Sequence, residues 1–291
     1  MKNRLDIVEI YITNVCNYSC THCQSFNNYA FKGHQRWDDY KDAYKELSKK
    51  LDIGKMSIIG GEPVLNPDFN LWLYGLSEIW PNTQIEISTN GSRLDLFDNK
   101  TYKLLEKNKG SIQITCHDKN LYDRMKQWTY DFLQEVVQEK QVRQYPGHIS
   151  TSIIDKNGVE ILMDWTQAFV TSAIDIVDNQ LVMKYDNNPV HAHGNCHFKT
   201  CHQINKGKLY KCPLVSVLPD FLNQFDVKLS NSDRDLAMSY SAVGFDATQN
   251  EINDFVDNIN KPIPQCKFCP VGNKLHKFVG TDKKVKLPQS T

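Results

Sequence analysis

The chain has 291 residues, of which 40% are hydrophobic and 23% are charged, and its 34 lysines and arginines equal its 34 aspartates and glutamates. This length accommodates one large domain or a domain with a smaller one attached, and the balanced charge gives no field that would attract nucleic acid or an anionic membrane. Because the first residues lack the apolar segment of a secretion signal and no apolar run could span a bilayer, we expect a cytoplasmic protein without membrane or nucleic-acid partners.

The first half of the chain alternates between strand and helix patterns. Strands are predicted at DIVEIYI, KMSII, TQIEIS, SIQIT and HISTSIID. Helices are predicted in the segments 37–54, 66–80, 94–110 and 120–140. Asp38 and Asn66 are the predicted N-caps of the first two helices, and Gly54 is the predicted end of the first. This alternation predicts βα units and a parallel sheet, whose functional groups gather at the C-terminal ends of the strands.

The second half has a looser pattern. DKNGVEILMDW predicts a hairpin that turns at Asn157 and Gly158, and HQINKGKLYK predicts another at Lys206 and Gly207. Segment 166–190 has no clear assignment, and 226–261 is polar without a clear strand. The basic C-terminal tail is interpreted as a frayed terminus. The change of pattern divides the chain into 1–190 and 191–291.

The cysteines are grouped in a way that predicts metal or cluster chemistry. Disulfides are rare in a reducing compartment, where cysteine more often binds metal or catalyses a reaction. The nine cysteines fall at 16–23, at 196–212 and at 266–269, with Cys116 alone. We interpret Cys116 as a small buried hydrophobic residue. The histidines of HAHGNCHFKTCH are interpreted as polar loop residues.

The stretch CNYSCTHC holds Cys16, Cys20 and Cys23 directly after the first predicted strand. Three thiolates on an iron–sulfur cube leave one iron without a protein ligand, and that iron can bind a small molecule through an amine and a carboxylate. A zinc site is the alternative, with His22 as the fourth ligand. The close spacing favours one loop around one cube.

Three motifs together resemble the radical S-adenosylmethionine (SAM) superfamily. The first is the CxxxCxxC spacing after the first strand. The second is GGEP after the second strand, and the third is STNG at the end of the third strand. The resemblance covers roughly residues 5 to 155. It implies an α/β fold with a partial (β/α)6 barrel similar to a TIM barrel.

The resemblance also implies the cofactors and the residues that bind them. Cys16, Cys20 and Cys23 would hold a [4Fe–4S] cluster, and SAM would occupy its open iron. The GGEP stretch would bind the SAM amino group, and its glycines would let the backbone approach the ligand closely. The residues expected to contact SAM are His22, Gly60, Gly61, Glu62, Pro63, Ser88, Thr89, Asn90, Thr115 and His117. His22 occupies a position that is often aromatic in the family.

The later cysteines resemble those of the SPASM and twitch extensions of radical SAM enzymes. The cysteines concerned are Cys196, Cys201, Cys212, Cys266 and Cys269. Five cysteines suit a small twitch-like domain with one auxiliary [4Fe–4S] cluster. Cys212, Cys266 and Cys269 are the expected ligands, and Cys196 is favoured over Cys201 as the fourth. A structural zinc ion is the alternative.

The resemblance implies an enzyme that splits SAM into methionine and a 5′-deoxyadenosyl radical, which abstracts a hydrogen atom from a substrate. The first expectation for the substrate is a peptide or protein side chain, and a small-molecule dehydrogenase or mutase is the alternative. A non-enzymatic zinc- or iron–sulfur-binding interaction protein is the alternative of another class. An electron donor such as flavodoxin or ferredoxin is the expected partner. The first strand starts near Met1, so we expect no N-terminal precursor-binding domain.

Overall fold

The secondary structure comes from a computed structural model that describes residues 2–145, 148–166, 168–196, 198–272 and 275–277. Its strands are β1 (Asn3–Tyr11), β2 (Leu51–Ile59), β3 (Gln84–Thr89), β4 (Ser111–Cys116), β5 (Val136–Tyr145), β6 (His148–Asp155), β7 (Glu160–Thr166), β8 (Ala168–Val170), β9 (Ile174–Val177), β10 (Gln180–Met183), β11 (His202–Asn205), β12 (Lys208–Tyr210), β13 (Val227–Lys228) and β14 (Leu275–Lys277). Its α-helices are α1 (Trp37–Ser48), α2 (Phe69–Ile79), α3 (Asn99–Asn108), α4 (Lys119–Leu133), α5 (Pro189–Gly194), α6 (Pro213–Gln224), α7 (Asn231–Met238) and α8 (Gln249–Asn258).

The main sheet has nine strands within the described residues, in the order β12-β11-β1-β2-β3-β4-β7-β6-β5. β1, β2, β3, β4 and β7 form one parallel run, and β11 extends it on the other side of β1. β12, β6 and β5 are antiparallel to their neighbours. The predicted α/β fold is therefore present. The partial (β/α)6 barrel stays a prediction, because the sixth parallel strand lies beside β1 and does not follow β7.

The two faces of this sheet differ in polarity. One face packs with α1, α2, α3 and α4 into the main hydrophobic core. The strand residues in that core include Ile10, Ile58, Ile87, Ile114 and Met163, each with no exposed surface. The residues that alternate with them point to the opposite face, and they include Glu9, Ser57, Glu86, Gln113 and Asp164. The apolar face holds the fold together, since each buried aliphatic side chain contributes about 1.5–3 kcal/mol.

The predicted boundaries of the first helix are wrong at both ends. Asp38 lies within the first turn of α1, which begins at Trp37. Gly54 lies within β2. A Cβ at Gly54 would meet the carbonyl oxygen of Asp6 at 2.8 Å. Close packing against β1 therefore explains this glycine, and a helix end does not.

Asn66 is not the N-cap of α2, which is Asp68. The buried side-chain amide of Asn66 instead donates to the carbonyl oxygens of Ile12, at 2.7 Å, and Gln35, at 2.9 Å. These bonds satisfy the carbonyl of Ile12, just past the end of β1, and the carbonyl of Gln35, just before α1. The amide thus fixes the path of the chain where it leaves β1.

The helix predicted over 120–140 is too long. α4 ends at Leu133, and Gln134 takes a φ of 61°, which leaves the helical region. The following residues form β5, at the edge of the sheet. The apolar residues of this segment therefore serve two elements, which periodicity alone did not separate.

Both predicted hairpins are present. β6 and β7 are antiparallel neighbours on either side of Asn157 and Gly158. β11 and β12 flank Lys206 and Gly207, whose positive φ angles of 51° and 70° suit a two-residue hairpin turn. The segment 226–261 contains β13, α7 and α8. The basic tail from 278 onward lies outside the described residues.

A second hydrophobic core joins the two predicted parts of the chain. Phe26, Tyr29 and Phe31 follow β1, and they pack with Phe221 and Phe225 of α6. β11 and β12 also belong to the same sheet as β1. The division at 190 stays a prediction, since contacts of this kind cross it. Across the residues described, none of the helices is long and apolar enough to cross a membrane.

Candidate active site

The first three cysteines lie on the loop that follows β1. The loop turns back on itself, with the Cys23 amide donating to the Cys20 carbonyl at 3.2 Å and the Phe26 amide to the Cys23 carbonyl at 3.1 Å. Burial raises the pKa of the Cys16 thiol to about 12. Burial first, and then the charges of Cys23 and Cys16, raise the pKa of Cys20. Burial also raises the pKa of Cys23, and the interactions among the three thiols show that they are near neighbours.

The end of β3 contacts the first cysteine. The side-chain amide of Asn90 lies 3.7 Å from the Cys16 sulfur and donates to Asn17 Oδ1 at 3.0 Å. The Tyr18 amide also points at the Cys16 sulfur, at 3.4 Å. Hydrogen bonds to a ligating sulfur orient it and tune the bound group. Two donors thus fix the position of Cys16.

The loop after β2 packs directly on the backbone of the cysteine loop. The Gly61 amide donates to the Thr13 carbonyl at 2.8 Å, and the Glu62 amide to the Val15 carbonyl at 2.9 Å. A Cβ at Gly61 would lie 2.6 Å from the carbonyl carbon of Val15 and 2.8 Å from the Cβ of Cys16. The sequence predicted that these glycines give room to a ligand. The structure adds that they give room to the cysteine loop itself.

Gly60 faces the same constraint one residue earlier. A Cβ there would lie 2.6 Å from the carbonyl oxygen and 2.7 Å from the side chain of Thr13. Because the first of these neighbours is backbone, it cannot turn away as a flexible side chain would. Both glycines of GGEP are therefore needed for the fit between two loops.

Glu62 connects this loop to the end of β3. Its carboxylate is fully buried and accepts from the Thr89 hydroxyl at 2.8 Å and from the backbone amide of Asn90 at 2.7 Å. Burial outweighs these donors and raises the pKa of Glu62 to about 7. Pro63 follows as the first residue of a short 3₁₀ turn, Pro63–Leu65. Glu62 thus has a definite positioning role, and its predicted contact with SAM stays a prediction.

The remaining predicted SAM contacts lie at or beyond the strand ends. The Ser88 hydroxyl is 2.8 Å from that of Ser57 on the polar face. Thr115 is paired with Asp164 in the register of β4 and β7. The contacts of Ser88 and Thr115 with SAM stay predictions.

The two predicted histidines differ in their surroundings. The ring of His117 meets the ring of Tyr18 edge-on at 6.0 Å between centroids. Burial lowers the pKa of His117 to about 4, so its imidazole is neutral at physiological pH. His22 takes a left-handed φ of 62°. Burial raises the pKa of Asp175, but the hydrogen bond from Lys184 and smaller effects that include the nearby His22 together outweigh it and lower that pKa. Their contacts with SAM stay predictions.

The polar face of the sheet was not predicted from the sequence. Lys55 binds Glu86 at 2.5 Å, and Gln113 donates to Asp164 at 2.9 Å. Glu9 accepts from Gln203 at 3.0 Å. The signal was available, because these strands place a polar residue at every second position. They read as ordinary buried strands because the intervening residues are strongly apolar.

The later cysteines divide into a set of four and a single residue. Cys196, Cys212, Cys266 and Cys269 line one cavity, which His193 and Lys211 also line. Cys201 instead hydrogen-bonds with the carboxyl group of Glu9 on β1. The regular pairing of β11 and β12 ends at Gln203 and Tyr210, two residue pairs before Cys201 would meet Cys212. The favoured choice of Cys196 as the fourth ligand stays a prediction.

Replacing Glu62 by Gln should have an effect on folding that depends on pH. Between about pH 4.5 and 7 the folded carboxyl keeps a proton that the unfolded chain has released, so its contribution to stability falls as the pH rises. The wild-type advantage in free energy of unfolding over Glu62→Gln should therefore shrink by roughly 2–3 kcal/mol from pH 5 to pH 8. Urea unfolding at both pH values measures it. Glu46→Gln on the exposed side of α1 is the control, and a difference independent of pH would contradict the prediction.

About half of the chain matches a known protein family. The model of the radical SAM superfamily matches residues 10–153. GTP 3',8-cyclase of Nautilia profundicola is 25% identical over 101 residues, which are 34% of this chain and 32% of that protein. GTP 3',8-cyclase of Listeria monocytogenes serotype 4b is 33% identical over 91 residues, 31% of this chain and 27% of that protein. The chain thus spans about a third of the length of these relatives.

Two solved structures are also similar. The crystal structure of BtrN in complex with AdoMet and 2-DOIA has 17% identity and a TM-score of 0.45, covering 92% of this chain and 94% of that one. Streptococcus suis SuiB bound to S-adenosylmethionine has 21% identity and a TM-score of 0.36, covering 45% of this chain and 32% of that one. The family match spans the cysteine loop, the GGEP loop and the end of β3, so residues 10–153 form a domain of the radical SAM superfamily.

Proposed function

We propose that the chain is a radical SAM enzyme whose cluster site is formed by Cys16, Cys20 and Cys23. The observation that carries the proposal is the clamp on this loop, which Gly61 and Glu62 contact along the backbone and Asn90 contacts at the Cys16 sulfur. When bound, the cluster supplies the electron that splits SAM into methionine and a 5′-deoxyadenosyl radical, which removes a hydrogen atom from the substrate. An electron donor of the flavodoxin or ferredoxin type is the proposed partner.

The donor set fits a cube better than a single ion. Among the residues that the structure describes, no three His, Cys, Asp or Glu side chains converge as one metal ion requires. A tetrahedral zinc ion with Zn–S bonds near 2.3 Å draws its sulfurs to about 3.8 Å from one another. A cube gives each thiolate its own iron and therefore accepts a wider spacing. We propose iron–sulfur chemistry at both cysteine sites, with zinc as the alternative that metal analysis decides.

The residues around the loop have distinct roles in this proposal. The Tyr18 and Asn90 donors hold the Cys16 sulfur and stabilise negative charge on it. Glu62 keeps the ends of β2 and β3 in register with the loop. The neutral imidazole of His117 offers a polar edge that leaves the charge of the site unchanged. Together these residues position SAM and exclude water, while the cofactors supply the reactivity.

The polar face favours a small polar substrate over a peptide. Glu9, Lys55, Gln113 and Asp164 are only partly buried, so they can offer hydrogen bonds to a bound molecule. The curated relatives are named as cyclases of GTP, which is also a small polar molecule. We therefore place a small-molecule substrate before the peptide or protein side chain expected from the sequence.

The four-thiol cavity supports a second, auxiliary [4Fe–4S] cluster. Its thiols are Cys196, Cys212, Cys266 and Cys269. The Nε2 atom of His193, which lines the same cavity, is buried and has no hydrogen-bond partner within the described part of the chain. A buried polar atom of this kind needs a partner, and a sulfur of a cluster would provide one. The twitch-like domain of the sequence prediction is proposed on the same grounds.

Changing Cys16, Cys20 and Cys23 together to Ala should abolish formation of 5′-deoxyadenosine from SAM and dithionite. The three thiolates are the proposed ligands of the cluster that delivers the electron. Chromatography of the anaerobic reaction measures the product. The matched control is Cys116→Ala, a buried thiol outside both sets, which should retain the activity. Product from the triple variant would reject the assignment, and no product from the wild type would favour the non-enzymatic alternative.

Gly61→Ala should impair both loading of the first cluster and SAM binding. The added Cβ would press on the backbone of Val15 and on Cys16, so the loop must move. Iron content and SAM affinity are measured in a background with Cys212, Cys266 and Cys269 changed to Ala. Gly194→Ala is the control, because nothing lies within 4 Å of its added Cβ. Wild-type values of both quantities in Gly61→Ala would show that the clamp is not needed.

Single substitutions should separate Cys196 from Cys201. In the background that lacks the first three cysteines, Cys196→Ala should lose the iron of the auxiliary site, because its thiol faces the shared cavity. Cys201→Ala should keep that iron, since its thiol faces Glu9. Iron and sulfide analysis after anaerobic reconstitution measures both. The reverse pattern would exchange their roles, and zinc in place of iron would remove the auxiliary cluster.

A further inference from the structure

Lys211 is a buried cation beside the four-thiol cavity. Only 7% of its surface is exposed. It lies between β12 and α6, directly before Cys212. Its backbone amide donates to the Tyr240 hydroxyl at 3.0 Å, and its side-chain ammonium donates to the carbonyl oxygen of Ile259. These bonds hold the ammonium at the wall of the cavity, away from bulk water.

This ammonium has no carboxylate partner among the residues that the structure describes. Burial has the largest influence on the pKa of Lys211 and lowers it, whereas Cys266, Cys212 and Cys196 act in the opposite direction, so these three side chains lie close to the ammonium. The nearby Lys267 is different, because its ammonium binds Asp186 at 2.7 Å and Asp233 at 2.9 Å. Burying an ammonium without a counter-charge costs free energy, so we expect a negatively charged group to bind beside Lys211.

The cavity offers a place for that group. His193 lines the same cavity as Lys211, and its buried Nε2 has no hydrogen-bond partner among the described residues. The imidazole of His193, a potential hydrogen-bond donor, and the ammonium of Lys211 therefore lie around a cavity that four thiols also line. A [4Fe–4S]²⁺ cluster with four thiolate ligands has a net charge of −2, from the sum of +2 and −4. Such a cluster would supply the negative charge that the Lys211 ammonium lacks and the hydrogen-bond acceptor that His193 lacks.

We propose that Lys211 is the counter-charge of the auxiliary cluster and raises its reduction potential. The inference rests on the proposed second cluster. Reduction adds one electron and takes the net charge of the cluster from −2 to −3, with no bond formed or broken. A cation fixed nearby stabilises the more negative form, because the potential of a cluster follows its charge environment, hydrogen bonds and exposure. Lys211 is a positioning residue, since it acts through the cluster.

The test measures the potential in the full chain that carries Ala at Cys16, Cys20 and Cys23, so that only the auxiliary cluster is present. Dithionite supplies the electron, and electron paramagnetic resonance at controlled potential follows the reduced cluster. Lys211→Met should lower the ratio of reduced to oxidised cluster at a fixed potential about tenfold, which corresponds to about 59 mV. Lys211→Arg keeps the charge and should restore most of the ratio.

Lys199→Met is the matched control. Lys199 lines the same cavity, but its ammonium binds the Gly194 carbonyl at 2.6 Å in an exposed position. Solvent screens such a charge, so the potential should stay near that of the parent. A similar shift of the reduction potential in Lys199→Met and Lys211→Met would show that any positive charge near the cavity has this effect. That result would overturn the proposal.

The other outcomes also decide. Equal potentials in Lys211→Met and the parent overturn the role of Lys211 and leave the cluster in place. Cluster loss in Lys211→Met with retention in Lys211→Arg supports the counter-charge role, whereas loss in both shows a role in shape and rejects it. Absence of any iron–sulfur signal in the parent would instead reject the auxiliary cluster itself.

Discussion

The site depends on backbone pairing that continues past the ends of β1 and β2. The two strands are parallel neighbours up to Tyr11 and Ile59. Beyond them, amides of the GGEP loop donate to Thr13 and Val15, so the cysteine loop is held as an extension of the sheet. Only residues without a Cβ fit at Gly60 and Gly61, because the space is filled by the partner backbone. The glycines thus position the thiols as well as any ligand.

The main elements of the fold could be predicted from the sequence because their patterns are local. The parallel strands alternate with helices, and both hairpins have turn residues that tolerate positive φ. Helix boundaries were predicted less well, as at Asn66, because an amide that binds distant carbonyls looks the same as an N-cap. The place of β11 beside β1 could not be predicted. It depends on pairing between segments almost 200 residues apart, for which no local pattern exists.

The candidate site shows the same division. The thiol trio and the GGEP loop were recognised from spacing, whereas the role of Glu62 as a bridge between strand ends required the fold. The separation of Cys201 from the other late cysteines also needed the fold. Ladder pairing would have set Cys201 opposite Cys212, but the pairing stops before that point and Cys201 meets Glu9.

The two cysteine sites are connected through one strand and one hydrophobic core. β1 leads into the first cysteine loop, and its Glu9 contacts Cys201 near the second set. Phe26 and Phe31 from the first loop pack on α6, which begins directly after Cys212. The two cysteine sites therefore share part of their packing.

The most direct test of the central claim asks whether the first cluster keeps one iron free of protein ligands. The measurement is the electron paramagnetic resonance spectrum of the reduced full chain in which Cys212, Cys266 and Cys269 are Ala. Adding SAM labelled with ¹⁷O in its carboxylate should change the spectrum and introduce coupling to the label, because SAM occupies the open iron. A spectrum unchanged by SAM would show that a fourth protein ligand closes the site, and it would contradict the account.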